Sequence, residues 1–497
     1  MTGNVKPATT KHLGWFAQLM QHPHPYFALD GGSGAHLFAA LSRQSPYARQ
    51  VYSPRHADLL IVVEPISHKL VPSVQETART LARPAHVLLV GSPDRGKLDH
   101  FSGLDLARVE DLLPDALHLP SPTVEAVLEA VLAPEHWPEL ALSQQGEPEP
   151  ILIQLPHRQE QEIAPELAVL SLGPIQPLTA GPLRLYLICD GEQVFSTQVE
   201  AGYAHRGIAE AMRQTDWQQA LVLARYLDPL APIASQLAYV QAIEYLQRWQ
   251  PPAPLTALRE AAVALERAQN HLWWLLRFAQ VLTDTQLIDR AYDLASTLAE
   301  QIAGLWCQSP SKWILPQYVI ATAIANTPPS APLQQLASRI DALKSAVARN
   351  RLLALRTRGI GTLETDRLKD AGVSGPVLLA SERESGDVQS RILTRLEAAS
   401  RDTQAVTGAL ESKERMVAHA ATWNVPAGEA HAAVEGPRGV IGLHIASSGG
   451  EKAVNVQWQR PSAVLLPLLP QMLNDQKLAD AEVIVASLDL AMEEADG

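Results

Sequence analysis

Cysteine is the scarcest chemically useful residue in this 497-residue chain: there are two, Cys189 and Cys307. That excludes a disulfide framework, a four-cysteine zinc site and any iron–sulfur cluster held by four thiolates of this chain alone. Long apolar runs are also missing. No window reaches the roughly 18 uninterrupted apolar residues of a membrane helix, and the clearest runs, Leu59 to Val63 and Val87 to Val90, have strand length. The first twenty residues lack the apolar core and small-residue cleavage site of a signal peptide. The expected compartment is therefore the cytoplasm, with no direct membrane span. Positive charge is in deficit too: 40 Lys and Arg stand against 53 Asp and Glu, a net charge of −13. That balance argues against a nucleic-acid backbone or an anionic lipid surface as main partner and leaves protein partners open.

What is there describes a soluble globular chain: 46% apolar and 19% charged residues, with length for roughly three domains of about 150 residues each. Residues 50–134 alternate short apolar strands with amphipathic stretches. ADLLIVV (57–63), HVLLVG (86–91) and ALHLP (116–120) read as strands, and HKLVPSVQETARTLA (68–82) and TVEAVLEAVL (123–132) as helices. The alternation predicts a small doubly wound α/β domain. A stretch rich in Pro, Gln and Glu follows and reads as a linker. Residues 167–199 are β-rich, with Asp190-Gly191 as the turn dipeptide of a hairpin.

From about 207 to 420 the pattern is helical. Leu258, Ala262, Leu265, Ala268, Leu272 and Leu275 recur at spacings of three and four, and further helices fit 285–306, 331–356 and 388–411. The last 80 or so residues are mixed, with 439–450 and 453–460 as a hairpin around Gly449-Gly450.

Spacing alone yields no catalytic site. Gly31-Gly32-Ser33-Gly34 is followed by Ala35-His36 where a phosphate loop needs Lys, so it reads as a turn. The G-x-S-x-G elbow is not met. The sixteen histidines include no H-E-x-x-H pair; His12, His22 and His24 sit with Pro23 and Pro25 in what reads as an irregular surface segment. Trp273-Trp274 beside His271 reads as helix core. Asp228, Glu266 and Asp387 could each be buried, although single carboxylates are more often surface or ion-pair residues.

A resemblance carries more. SPRHADLLIV (53–62) resembles the S-P-R-x-A-D-x-x-x-V segment of the cluster-carrying small subunit shared by respiratory complex I and energy-converting [NiFe] hydrogenases. LHLPSPTVEAVLEAVL resembles that subunit's L-P-G-C-P-P-x-P-E-A segment. LSLGPIQPLTAGPLRLYL and GYAHRG (202–207) resemble G-P-Q-H-P-x-x-H-G-x-L-R-L and G-Y-x-H-R-G of the large subunit. ASQLAYVQAIE, LERAQNHLWWL, RTRGIGTLETDRLKDAGVSGPVLLAS, GDVQSRILTRLEA, GPRGVIGLHIASSGGEKAVNVQWQRPS and IVASLDLAMEEADG continue it in the family's order. The resemblance implies a fusion: a small-subunit-like, flavodoxin-like α/β domain over 1–134, a linker over 135–165, and a large-subunit-like α+β domain with a central helical bundle over 166–497.

The departures shape the expected function. At the small subunit's four cysteine positions stand Asp30, Ser33, Ser92 and Ser121, so the thiolates that hold a [4Fe–4S] cluster are gone. The two C-x-x-C pairs of a nickel–iron site read Asp228 to Ala231 and Ala491 to Glu494, and Ala209 stands where hydrogenases carry an acid after H-R-G. Of the quinone site of complex I, the histidine of G-Y-x-H is kept as His205, next to Arg206. The quinone Tyr aligns with Pro229, and the two histidines of G-P-Q-H-P-x-x-H-G read Gln176 and Ala180. The resemblance thus implies no iron–sulfur cluster, no nickel–iron centre, no metal and no quinone. His205 and Arg206 are left as a proton-site or quinone-site remnant, or as a structural turn.

The implied protein is a redox-inactive, peripheral subunit on the cytoplasmic face of the cell membrane. Its expected partners are membrane subunits resembling cation/proton antiporters, with proton or ion translocation as the coupled process. Coupled uptake of a small anion or of inorganic carbon is one version. The rivals are a quinone-reducing or NADH-dehydrogenase-like subunit fed by another chain, and a decoy that blocks assembly of the true enzyme.

Overall fold

A computed structural model describes residues 24–30, 37–38, 41, 48–51, 53–81, 85–91, 98–101, 103–108, 112–113, 116–120, 123–131, 167–305, 330–409 and 423–497. The expected linker over 135–165, the glycines at 31–34 and the positions Ser33, Ser92, Ser121, His12, His22 and Cys307 lie outside them.

The N-terminal part is built on five parallel strands: β1 (His24–Asp30), β2 (Ala48–Gln50), β3 (Leu59–Val63), β4 (His86–Val90) and β5 (Leu117–Leu119), in the order β2-β1-β3-β4-β5. Alternation sends Phe27, Leu29, Leu60, Val62, Val87 and Leu89 to one face. There they meet Val74 and Ala78 of helix α1 (Val71–Thr80). Tyr26, Ala28, Leu59, Ile61, Val63, Leu88 and Val90 go to the other, against Leu37, Phe38, Leu41 and Val127 and Val131 of helix α2 (Val124–Val131). A sheet covered on both faces explains the continuous apolar runs of β3 and β4. One expectation is corrected here. The segment at His24 and Pro25 is the start of the interior strand β1, whose residues Tyr26 to Leu29 are buried. Pro25, near the strand's first residue, is where a strand tolerates proline, so it masks the strand without preventing it.

The C-terminal part opens with an antiparallel sheet, β6 (Ala168–Leu172), β7 (Arg184–Asp190) and β8 (Gln193–Glu200). Asp190 pairs with Gln193, so the turn residues are Gly191-Glu192, one place beyond the expected dipeptide, with Gly191 at φ +57°. Helices α3 (Ile208–Gln214), α4 (Trp217–Ala224), α5 (Pro232–Leu246), α6 (Ala253–Val281) and α7 (Thr285–Leu305) follow. Next come α8 (Ser330–Arg349), α9 (Arg351–Thr357), α10 (Thr365–Asp370), α11 (Pro376–Arg383) and α12 (Val388–Ala409).

The long helix α6 packs on both α7 and α12, and α8 on α12. The expected stripe of α6 is its core face: Leu258 is 5% exposed, and Ala262, Leu265, Ala268, Leu272 and Leu275 are fully buried. The single helix expected over 331–356 is two. Asn350 breaks it because its side chain accepts the amides of Leu352 and Leu353, both at 3.1 Å, capping α9. Near the end, β9 (Gly428–Glu435) joins the expected hairpin of β10 (Val440–Ser447) and β11 (Ala453–Gln459) as a third strand. Short helices α13 (Pro461–Leu465) and α14 (Leu469–Leu473) lead into α15 (Leu478–Ser487) and α16 (Met492–Asp496). Among the described residues no helix is long and apolar enough to cross a membrane.

The two parts meet directly. Ile175 and Tyr203 complete the apolar cluster under α1. Lys69 Nζ donates to Ala201 O at 3.1 Å and lies 4.7 Å from the Tyr203 ring centroid, and Asp105 N donates to Arg206 O at 3.1 Å.

Candidate functional site

The two large-subunit ligand segments, distant in the chain, converge on one buried guanidinium. Asp228 lies in the turn before α5. Its Oδ1 accepts Leu230 N at 3.1 Å, and its carbonyl accepts Ala231 N at 3.0 Å, which fixes the turn and leaves Oδ2 pointing inward. That oxygen receives Arg438 Nη2. Arg438, from the tight turn between β9 and β10, also donates Nε to Glu494 Oε2 at 3.2 Å and brings Nη1 within 3.5 Å of Asp489.

Glu494 is held further by Ser462 Oγ, which in turn accepts Ala491 N at 3.2 Å. Asp489 is shared with Arg277 at 2.7 Å and Arg395 at 3.4 Å. Asp228, Arg438, Glu494 and Asp489 are each at most 2% exposed. Ala231 and Ala491 are fully buried beside them.

Backbone pairing locks the loop before β7 to the segment before α16. Ala180 N donates to Leu490 O at 2.9 Å and Met492 N to Ala180 O at 2.7 Å. Thus Ala180, at a quinone-histidine position of the resembled family, sits paired with Ala491, at a cysteine position. Gln176, at the other histidine position, turns on its own loop, accepting Leu178 N and donating to Thr179 Oγ1.

GYAHRG forms a clasp on the last helix. Gly202 (φ +89°) and Gly207 (φ +72°) bend it, and a side chain at 207 would meet Gly103 O at 2.9 Å. Asp496 accepts the amides of Gly202 and Ala204, both at 2.8 Å, and His205 Nδ1 sits 2.8 Å from Asp496 O. His205 itself is exposed, while Arg206 is 3% exposed and donates to Tyr226 O at 2.7 Å. The structure therefore separates these two neighbours: Arg206 belongs to the buried centre and His205 to its outer wall.

Of the small-subunit positions, Asp30 is described. It ends β1 at a cleft of ≈ 50 Å³ lined also by Gln50, Gln176, Thr179, Gly181 and Arg277. Gly91, next to Ser92 in the chain, donates its N–H to Leu119 O at 2.8 Å, two residues before Ser121.

Burial dominates the electrostatics. It raises the Glu494 carboxyl to about 7 even against Arg438, and Glu493 and Glu266 to about 8. Glu266 is partly relieved by the amides of Ile233 (2.6 Å) and Ala234 (2.9 Å) at the start of α5. Burial lowers His271, whose surroundings are arginines. Asp387 keeps a lowered value through Ser390 and the amides of Gly359 and Ser390, in spite of burial. Asp228, Glu266 and Asp387, which sequence statistics place mostly at surfaces, are therefore all buried, each satisfied by its own partners.

The four side chains Asp228, Ala231, Ala491 and Glu494 do not fit a nickel–iron centre: the two alanines offer no donor atom, and the two carboxylates are turned onto a fixed cation. Among the described residues no group of three His, Cys, Asp or Glu side chains is placed to hold a metal ion. Arg438, Asp489, Glu493, Arg395 and Ser462 were not singled out from the sequence. The signal available was the cluster of acids Asp489, Glu493, Glu494 and Asp496 closing the apolar run from Val483.

The larger part has a complex I-like large-subunit fold of mixed α and β content, attached to the parallel five-stranded unit. Residues 392–497 match the family described as the respiratory-chain NADH dehydrogenase 49 Kd subunit. The chain is 29% identical over 392 residues to a subunit of the NADH-quinone oxidoreductase of Roseiflexus sp. (strain RS-1), covering 67% of this chain and 93% of that one. It is 27% identical over 425 residues to the same-named subunit of Chloroflexus aurantiacus, covering 70% and 99%. Among solved structures, a chain of the membrane-bound sulfane sulfur reductase, an archaeal respiratory membrane complex, shares the fold at TM-score 0.59 and 21% identity over 67% of this chain and 99% of that one.

Proposed function

We propose that this chain is a redox-inert peripheral subunit of a complex I-like membrane complex. In this reading residues 1–134 are a small-subunit-like, flavodoxin-like domain fused through 135–165 to a large-subunit-like domain over 166–497. The unit docks from the cytoplasmic side on antiporter-like membrane subunits and couples their proton or ion movement, without a metal, cluster or quinone of its own. Uptake of a small anion or of inorganic carbon is one coupled process that such a module would serve.

The observation that carries the reading is the Arg438 centre. Where the resembled nickel–iron hydrogenases need two thiolate pairs, Asp228 and Glu494 hold a guanidinium; complex I large subunits lack those thiolates too, and there it is the quinone Tyr position, Pro229, that departs. A buried, paired arginine stays charged and has no accessible redox chemistry. The strand order β2-β1-β3-β4-β5 with helices on both faces supports the small-subunit part of the reading.

The test is iron and nickel analysis with a visible spectrum of the complex purified through this chain. Stoichiometric iron assigned to this subunit, with a broad absorption that dithionite bleaches, overturns the proposal and favours the quinone-reducing rival.

A further inference from the structure

Glu493, next to Glu494 but facing the opposite way, has no part in the Arg438 network. It is 2% exposed, and neither Oε1 nor Oε2 has a hydrogen-bond partner. Its carboxyl lies against Gly181, in the loop that lines the cleft with Asp30. A Cβ at 181 would come within 2.7 Å of Oε1, so the approach depends on glycine there. Across from it is Arg206, also fully enclosed, whose Nη2 is given to Tyr226 O while Nε and Nη1 have no partner. After burial itself, each is the largest charge acting on the other.

Other charged or titratable groups lie around the pair, among them the Tyr226 hydroxyl beside Arg206. Asp30, from β1, and Asp228, from the turn before α5, repel a charge on Glu493. Arg438 is bound to Asp228 and Glu494, Arg277 to Asp489, and Asp496 takes the amides of Gly202 and Ala204. A buried carboxylate with no donor beyond its own backbone N–H is not sustained as an anion and takes up a proton. Close by stands a guanidinium with free N–H groups, ready to stabilise the anion when it forms.

We infer that Glu493 is a proton-binding site at the seam between the two parts of the chain, neutral at rest and turning to Arg206 as an ion pair when its proton leaves. The step breaks the Glu493 O–H bond. The proton passes to Asp30 at the rim of the cleft and from there to solvent water, and the negative charge left behind is neutralised by Arg206. No electron moves. The direction of the pKa agrees: burial, Asp30 and Asp228 raise Glu493 to about 8, and Arg206 is the charged side chain that pulls it down. Because Asp30 belongs to the parallel sheet and Arg206 and Glu493 to the other part, the protonation state reports on, and bears on, how the two parts meet. The inference rests on the proposed coupling role for the use made of the proton, and not for its presence.

Infrared difference spectra of the purified full-length chain between pH 6 and pH 10 test it directly. The carbonyl band of a protonated buried carboxyl is expected to vanish with a midpoint near 8. In Glu493→Gln one such component should be missing, while those of Glu266 and Glu494 remain. Asp30→Asn should move the midpoint down and Arg206→Gln should move it up; a merely structural glutamate predicts neither shift. Identical spectra for wild type and Glu493→Gln, or a midpoint that ignores Asp30→Asn, overturn the inference. Should Glu493→Gln not fold, the opposed shifts in the other two variants decide alone. A titrating Glu493 in a complex that carries a stoichiometric cluster would overturn the proposed function and leave this site standing.

Discussion

Replacing Arg438 by Met removes the cation that holds Asp228, Glu494 and Asp489 together and keeps much of its volume. Taking one partner from a buried pair leaves the other uncompensated, which costs about 3–5 kcal/mol. The protein can reduce this by binding protons. Glu494 already stands at about 7 with the guanidinium beside it, and without it the carboxyl rises further. A carboxyl whose folded pKa lies above its unfolded value contributes stability that falls as pH rises through that window. In wild type the Glu494 window closes near 7; in Arg438→Met it extends higher. The penalty of the substitution should therefore grow above pH 7, by about 1.4 kcal/mol per pH unit per extra proton held.

Urea unfolding followed by tryptophan fluorescence at pH 6 and pH 8.5 measures it. The double variant Asp228→Asn/Arg438→Met should recover at least about 1 kcal/mol of the loss at the higher pH, because one of the stranded anions is gone. A loss below about 1 kcal/mol at both pH values, or an equal loss at both, refutes the idea that Arg438 is the counter-charge of this centre.

Three further outcomes follow from the same geometry. His205→Ala and His205→Gln should leave the purified chain folded, since the ring is exposed and touches a backbone carbonyl. In the membrane complex, intact assembly with reduced transport in both supports a protonic role, and failed assembly in both makes His205 structural. Gly181→Ala should destabilise the fold, by about 1–2 kcal/mol for the left-handed backbone at φ +86° plus the clash with Glu493. Adding Glu493→Ala should relieve the clash but not the backbone part, as thermal melts of the pair would show. Leu272→Ala, at a fully buried position of α6, should cost about 2–5 kcal/mol in the same unfolding assay.

Local pattern reached far in this chain. The apolar runs of β3 and β4, the three-and-four spacing of α6 and the glycines of GYAHRG are each written within a few residues, because strand burial, helix phase and positive φ are local demands. That Asp30, Ser33, Asp228 and Glu494 carry no thiolate is equally legible without coordinates. Local pattern misread β1, where two prolines and two histidines conceal a strand whose identity depends on neighbours 20 and 30 residues away. It also ran one helix through Asn350, where a single side-chain cap decides.

The centre itself was set by long-range packing. Asp228, Arg438, Asp489 and Glu494 come from a turn before α5, the β9–β10 turn and the last two segments of the chain, and nothing in their spacing joins them. Only the packing of α6 against α12 and α15, and the pairing of Ala180 with Ala491, bring them within bonding distance. Residue identity alone decides which positions can offer a thiolate to a metal. Whether the acids in those places would lie in water, or be enclosed and matched to an arginine, depended on the folded whole, because burial and charge pairing are properties of the assembled core and not of any segment of it.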